Sequence, residues 1–396
     1  MDVAPAQAVP PPSGSLQAGP RTVGVEEELL VVDPVDAGPA PAGEEIIDAA
    51  DRIRERTGGT DLPPFEREFK REQAELGSAP CTEMSELHGQ LAGLRSEMMT
   101  AAVSRGARVA ALATSPFKVR PTPTDNERYA AMGEEFGLLA RQQLTCGQHV
   151  HVSIASRAEG VAVLDRIRPW LAVLTALSSN SPYWQGQDSG YASFRTVMWG
   201  LWPTAGPTEA FGDVAGYDGT IADLIASGAA MDDGMIYFDA RLSASYPTVE
   251  IRVADVCLAV EDAVVIAALC RALVDTAAAD LARDRTAPRI RVGLLQAASW
   301  RAARSGMAGD LVDVGRARSV PAWNLVDQLI DQVGPALRTN GDLGRTEDAL
   351  AAIRSRGTGA HRQRQFFAAG GLEAVVHDAV RATVAGSSAG TTESST

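Results

Sequence analysis

Glu26 and Glu28, two positions apart in GVEEEL, are the first residues able to do chemistry. In an extended strand their carboxylates project from one face, while Val25 and Glu27 point to the other. CGQHVHVSI repeats the arrangement with His149 and His151, and Val150 and Val152 lie opposite. TVEIRV does so a third time, with Glu250 and Arg252 on one face and Val249, Ile251 and Val253 on the core side. Each strand buries an apolar face and gathers carboxylates and imidazoles on the other. Those groups would repel or lose hydration unless a cation neutralised them. A divalent metal is the economical cation. A carboxylate-rich donor set suits hard ions, Mg²⁺ or Mn²⁺, whereas a zinc hydrolase would use more His or Cys.

A further acidic run, FEREFKREQAEL, contains Glu68, Glu72 and Glu75. Spacings of four and three put all three on one helical face, but in a strand Glu75 has the opposite parity. The run alone fits a solvated charged helix as well as a ligand set. No GxxxxGK[ST] occurs and no GxGxxG follows a strand, so neither a P-loop nor a Rossmann nucleotide site is supported. A nucleotide would instead be held through carboxylate-bound Mg²⁺ and bidentate Arg. Lys70 and Lys118 are the chain's lysines, too few for that work.

The elements that must position these groups follow from periodicity, which switches repeatedly between 2 and 3.6 and marks a mixed α/β or α+β chain. Strands are expected at 21–32, 108–113, 144–154, 235–241 and 248–254, the last two forming an antiparallel hairpin. Helices are expected at 83–104 with Thr82 as N-cap, at 125–143, 160–178 and 259–282, and almost throughout from Gly293 as a cap on the sheet. Residues 1–20 and 386–396 have the small, polar or Pro-rich composition of disordered tails, leaving one catalytic domain over 21–385.

The chain has 396 residues, 45% of them hydrophobic and 22% charged, enough to bury a sizeable core. Its net charge of −14 repels phosphate backbones and excludes nucleic acid as a partner. The four cysteines show no CxxC pair, against a disulfide framework or a thiolate zinc site. No signal-peptide pattern and no run of about 18 apolar residues appears, so a cytoplasmic protein without a membrane partner is expected.

The motifs TVGVEEELLVVDP, EREFKREQAELGSAPC, DNERY, CGQHVHV, SPYWQGQDSGYASFR and TVEIRVADV, in this order, resemble the bacterial carboxylate–amine ligases of the glutamate–cysteine ligase type 2 family. The resemblance covers roughly residues 21–380. It implies a largely antiparallel, curved sheet of glutamine-synthetase type with helices packed on one face, and ATP-dependent amide formation with Mg²⁺. Carried over by position, Glu26, Glu28, Glu68, Glu75, His149 and Glu250 match metal ligands. Arg252 matches an arginine facing the transferred phosphoryl group or the substrate carboxylate. Ser193 and Arg195 match a substrate-side loop that binds carboxylate or phosphate. His151 is expected to ligate metal or substrate, or to orient its neighbour. Glu27 stands where the family often has an apolar residue, and it is expected to face away from the site.

The implied reaction passes the ATP γ-phosphoryl group to a carboxylate, giving an acyl phosphate that an amine attacks, with glutamate and cysteine as the default pair. The substrates are therefore small molecules. The acid, the amine and the oligomeric state, a homo-oligomer included, are not specified by the sequence. Rival readings are ligation of another acid and amine, a metal-dependent amidohydrolase, and a silent nucleotide or amino-acid binder on the same scaffold. Glu26→Gln and Glu250→Gln are expected to abolish ATP turnover with little loss of folding stability.

Overall fold

The computed structural model describes residues 19–57 and 62–385. The expected tails fall outside the described residues, apart from Gly19 and Pro20. The first half of the chain runs β1 (Val23–Val32), α1 (Gly43–Thr57), β2 (Gln73–Gly77), α2 (Met84–Ser104), β3 (Arg108–Ala110), α3 (Glu127–Glu135), α4 (Gly137–Gln142), β4 (Gly147–Ser153), α5 (Arg157–Ile167), α6 (Leu171–Ser178), β5 (Tyr183–Trp184), β6 (Gln187–Asp188) and α7 (Phe194–Trp199). The second runs α8 (Val214–Ala226), β7 (Ala240–Leu242), β8 (Thr248–Asp255), α9 (Val260–Ala282), α10 (Val292–Ser305), β9 (Asp310–Asp313), β10 (Arg318–Pro321), α11 (Ala322–Thr339), α12 (Leu343–Arg356) and α13 (Gly359–Thr383).

Among the described residues the main sheet has six strands, all antiparallel, in the order β2-β1-β4-β8-β7, with β3 paired to the end of β1. Its apolar face carries Val25, Leu29, Val150, Val152, Val249 and Ile251, all buried. Helices α2, α5 and α9 pack against this sheet, and α11 and α12 pack on α9 in turn. One core cluster extends from Val23 to Ala382. No helix among the described residues is long and apolar enough to cross a membrane.

Backbone chemistry explains where the observed elements depart from the periodicity. The single helix expected at 160–178 is interrupted by a 3-10 turn, Arg168–Trp170, because Pro169 has no N–H to continue the α ladder. The helix at 125–143 breaks at Phe136, and Gly137 takes a left-handed φ of 55°. Of the strand expected at 235–241 only its end pairs, as β7, after a 3-10 turn at Asp233–Met235. The C-terminal region holds a hairpin, β9–β10, that the helical pattern hid. The cap of α2 is Glu83, not Thr82, and makes no side-chain hydrogen bond.

FEREFKREQAEL is neither a helix nor one strand. Phe65–Lys70 runs extended, a turn follows at Arg71–Glu72, and β2 returns alongside, with Glu66 bridged to Glu75. The parity conflict between Glu68 and Glu75 disappears because they sit on two segments. Glu72 leaves the set: it is buried, and both carboxylate oxygens accept from the Thr122 N–H, at 3.0 and 2.9 Å.

Candidate functional site

Register places the polar side chains on one face. In β1, Glu26 lies opposite Gly77 of β2 and His149 of β4, and Glu28 lies opposite Glu75. His151 faces Glu250 of β8, which faces Arg241 of β7. Directly opposed residues of an antiparallel pair share a face, so these groups converge above the sheet. Glu27, between the two β1 carboxylates, points the other way as expected. It is fully buried and held at 2.7 Å through each oxygen by Arg95 of α2, which also donates to the Cys257 and Leu258 carbonyls.

Two groups of potential ligands emerge among the described residues: Glu26, His149 and Glu250, and Glu28, Glu68 and Glu75. Within each, one donor atom from every member lies within 4.8 Å of the others. They are five carboxylates and one imidazole, a donor set for a hard divalent ion. They line a cavity of about 310 Å³ whose far wall is aromatic, including Tyr129, Trp199, Trp202 and Tyr237. Part of that wall is a second apolar cluster built on Met132, Trp202, Tyr237 and Phe238.

The charges show what the face lacks. Burial, then the Glu68 charge, pushes the Glu28 carboxyl up to about 7, against the pull of Arg195 and the Gly147 N–H at 2.6 Å. Burial and Glu68 likewise hold Glu75 well above the carboxylate range. Glu66, beside them on the cavity wall, is raised by burial and by Glu26 and Glu68. In the other group burial is outweighed. His149 and His151 hold Glu26 far below the usual range. Arg252 and Arg241 bring Glu250 down to about 2 despite its burial. Burial and Arg252 lower His149 to about 4, so its imidazole is neutral near pH 7. His149 Nδ1 lies 3.4 Å from Glu26, and its buried Nε2 has no hydrogen-bond partner. An orphaned imidazole nitrogen beside bunched carboxylates fits a bound divalent cation.

The remaining expected residues divide. Arg252 bonds Glu250 and sits over the Trp199 ring at 5.7 Å. His151 falls outside both groups. Its Nε2 is 3.1 Å from Glu26, and its Nδ1 pairs with the Thr248 hydroxyl at 3.0 Å. Arg195 of α7 is buried, 5.6 Å from the Trp199 ring, and packs against Gly147: a Cβ there would lie 2.9 Å from its Cζ, so the guanidinium would have to shift. Ser193 corrects the expectation of a ligand-binding hydroxyl. It is fully buried, donates to Asp255 at 2.7 Å and accepts from the Thr196 N–H as the cap of α7. Its hydroxyl fixes the start of α7, the helix that carries Arg195.

Sequence reasoning passed over Glu66 and Arg241. Both had a signal. Glu66 shares strand parity with Glu68, and Arg241 meets Glu250 at 2.7 Å once the β7–β8 hairpin is in register. The aromatic wall had none, because it is assembled from segments distant in sequence.

Comparison with known proteins agrees with this architecture. The model of the glutamate-cysteine ligase family 2 (GCS2) matches residues 22–385. A Frankia alni protein is 51% identical over 377 residues, covering 92% of this chain and 97% of that protein. A Streptomyces coelicolor protein is 46% identical over 366 residues, covering 92% and 99%. Both bear glutamate–cysteine ligase 2 names of provisional standing. The solved glutamate–cysteine ligase of Francisella tularensis, in complex with AMP, superposes with a TM-score of 0.67 at 12% identity, over 93% of this chain and 89% of that one. The bifunctional glutathione synthetase of Pasteurella multocida gives 0.63 at 13%, over 92% and 52%. The α+β fold is thus that of the glutamate–cysteine ligases, as the motifs implied. With a family model spanning 22–385 and relatives near half identity, this chain belongs to glutamate-cysteine ligase family 2 and is a ligase.

Proposed function

We propose that the chain is an ATP-dependent carboxylate–amine ligase that joins the γ-carboxylate of glutamate to the amine of cysteine. The observation that carries this reading is the double set of ligands on one sheet face with Arg241 and Arg252 against it. The provisional names of the relatives and the AMP bound by the Francisella structure support the choice of substrates.

Glu26, His149 and Glu250 would hold one Mg²⁺ or Mn²⁺ ion, and Glu28, Glu68 and Glu75 another. Bound there, such ions neutralise phosphate charge. Arg252, kept protonated by Glu250, faces the γ-phosphoryl group. Arg241 holds Glu250 ionised and in place, so that its carboxylate is presented in one orientation. A glutamate oxygen attacks the γ-phosphorus and ADP leaves. The cysteine nitrogen then attacks the acyl carbon, phosphate departs, and the amine proton passes to solvent. Trp199, Trp202 and Tyr237 keep water from the acyl phosphate between those steps.

The test is ADP release with Mg²⁺ over pairs of amino acids. Release that requires glutamate and cysteine together is expected. Amide hydrolysis without ATP would replace the reading by an amidohydrolase, and silence with every pair would leave only a binding protein.

A further inference from the structure

Phe69 and Tyr129, which line the acidic cavity, also wall a second one of about 730 Å³, a volume within the range of small-molecule sites. None of the six candidate metal ligands lines it. Its walls are fixed by the backbone. Residues 69–71 run beside 122–124, with the Arg71 and Thr124 N–H groups donating to the Thr122 and Phe69 carbonyls at 2.9 and 3.1 Å. The Gln185 side chain, on a residue held at a left-handed φ of 51°, pairs with both the N–H and the carbonyl of Val119 at 3.3 Å. The β5–β6 hairpin is thereby clasped to the segment that carries Arg120.

The charges lining this cavity are all of one sign. No Asp or Glu lines it, although the chain carries 50 acidic against 36 basic residues, whereas Lys70, Arg120 and Arg141 do. None of the three forms an ion pair among the described residues. Lys70 is 2% exposed; its Nζ donates to the Ala140 carbonyl at 2.7 Å and lies 3.9 Å from the centre of the Phe69 ring, which leaves the other N–H donors of the ammonium without a partner. The Arg120 guanidinium makes no hydrogen bond among the described residues, and that of Arg141 makes one, to the Gly133 carbonyl at 3.4 Å. A buried ammonium with no counter-charge is costly until an anion completes it. Burial lowers Lys70 to about 8, so it is still mostly protonated near pH 7. Beside the cations stand Trp184, Pro121 and Leu138, the last 60% exposed. One cavity therefore offers guanidinium and ammonium donors to an oxyanion, and flat apolar walls to whatever carries it.

We propose that this cavity binds an organic anion, a phosphate or carboxylate carried on a flat apolar body, with Lys70, Arg120 and Arg141 pairing the oxyanion and Trp184, Pro121 and Leu138 covering the ring. The site is separate from the ligation centre and does not depend on the ligase reading. An occupant there touches the Phe69–Tyr129 wall of the acidic cavity without entering that cavity.

The experiment is calorimetric titration of the full chain, treated with chelator, using 1-naphthyl phosphate, 1-naphthoate, uncharged 1-naphthol and inorganic phosphate. At least one of the two aryl anions should bind at a single site, with naphthol and inorganic phosphate each weaker by about tenfold or more, the scale of a lost charge-assisted hydrogen bond. Tighter binding of the naphthyl phosphate assigns the site to phosphates, and tighter binding of the naphthoate assigns it to carboxylates. Arg120→Gln combined with Arg141→Gln should weaken the aryl anion by about tenfold or more and leave naphthol within about threefold. Both side chains are exposed and without ion pairs, so the urea midpoint of the double variant should match that of native protein. Arg289→Gln combined with Arg318→Gln removes the same charge from exposed positions outside the cavity and should leave binding unmoved. Naphthol binding as tightly as the anions, native affinity in the first double variant, an equal loss in the second, or no binding of either aryl anion up to millimolar concentration would overturn the assignment.

Discussion

Glu28→Gln probes the acidic face without any metal present. Glu28 is buried, lies opposite Glu75 and has its carboxyl raised from 4.5 to about 7, by burial first and by Glu68 second. A folded pKa above the unfolded one means that the folded state keeps a proton which the unfolded chain has released. The group is harmless below pH 4.5, and its cost grows as pH rises through about 7. A shift of that size corresponds to roughly 3 kcal/mol of destabilisation by pH 8. Glutamine has the same shape, cannot ionise, and can still accept the Gly147 N–H through its carbonyl. Chelator-treated Glu28→Gln should therefore be about 2–3 kcal/mol more stable than native protein at pH 8, with the gap nearly closed at pH 5. Urea unfolding followed by tryptophan fluorescence measures both. Millimolar Mg²⁺ should then stabilise native protein more than the variant, which keeps only the Glu26, His149 and Glu250 group, with ADP release lost in the variant. Native protein at least as stable as Glu28→Gln at pH 8, or an equal Mg²⁺ response in the two, would refute the claim that this carboxylate is held for a cation.

Glu27→Gln should behave in the opposite sense, losing about 3–5 kcal/mol because it leaves the buried Arg95 half-paired, while ADP release per folded molecule persists; thermal melts beside activity measurements separate the two. Glu26→Gln and Glu250→Gln should both abolish ADP release, but the sequence expectation that both spare stability needs correction for Glu250. That carboxylate is buried between Arg241 and Arg252, and its loss should cost about 3–5 kcal/mol, against about 1 for the half-buried Glu26, as denaturation midpoints would show. Gly147→Ala should push the Arg195 guanidinium out of place and raise the KM for the acid substrate by roughly tenfold with the KM for ATP unchanged; steady-state kinetics with each substrate varied would expose a change confined to ATP.

Period-2 alternation was enough to see that Glu26 and Glu28, His149 and His151, and Glu250 and Arg252 each share a strand face, because side-chain direction in a strand is set locally. The long helices α2 and α9 were legible for the matching reason, a sustained apolar period. Local pattern could not register that FEREFKREQAEL folds back on itself, since the turn at Arg71–Glu72 is secured by Glu72 bonding to Thr122, some fifty residues away. Nor could it separate Ser193, with its hydroxyl consumed by Asp255, from the neighbouring Arg195.

Residue type and parity, which belong to each strand alone, determined that this chain would gather carboxylates and imidazole on polar strand faces. Which carboxylates form a group was decided by strand register. Register brings Glu28 to Glu75 and Glu26 to His149, and pairing energies between strands set it. The gathering of Lys70, Arg120 and Arg141 around one cavity was decided later still, by how α4 and the β5–β6 hairpin pack. The free energy of such a site depends on which neighbours are missing, and that is a property of the assembled fold.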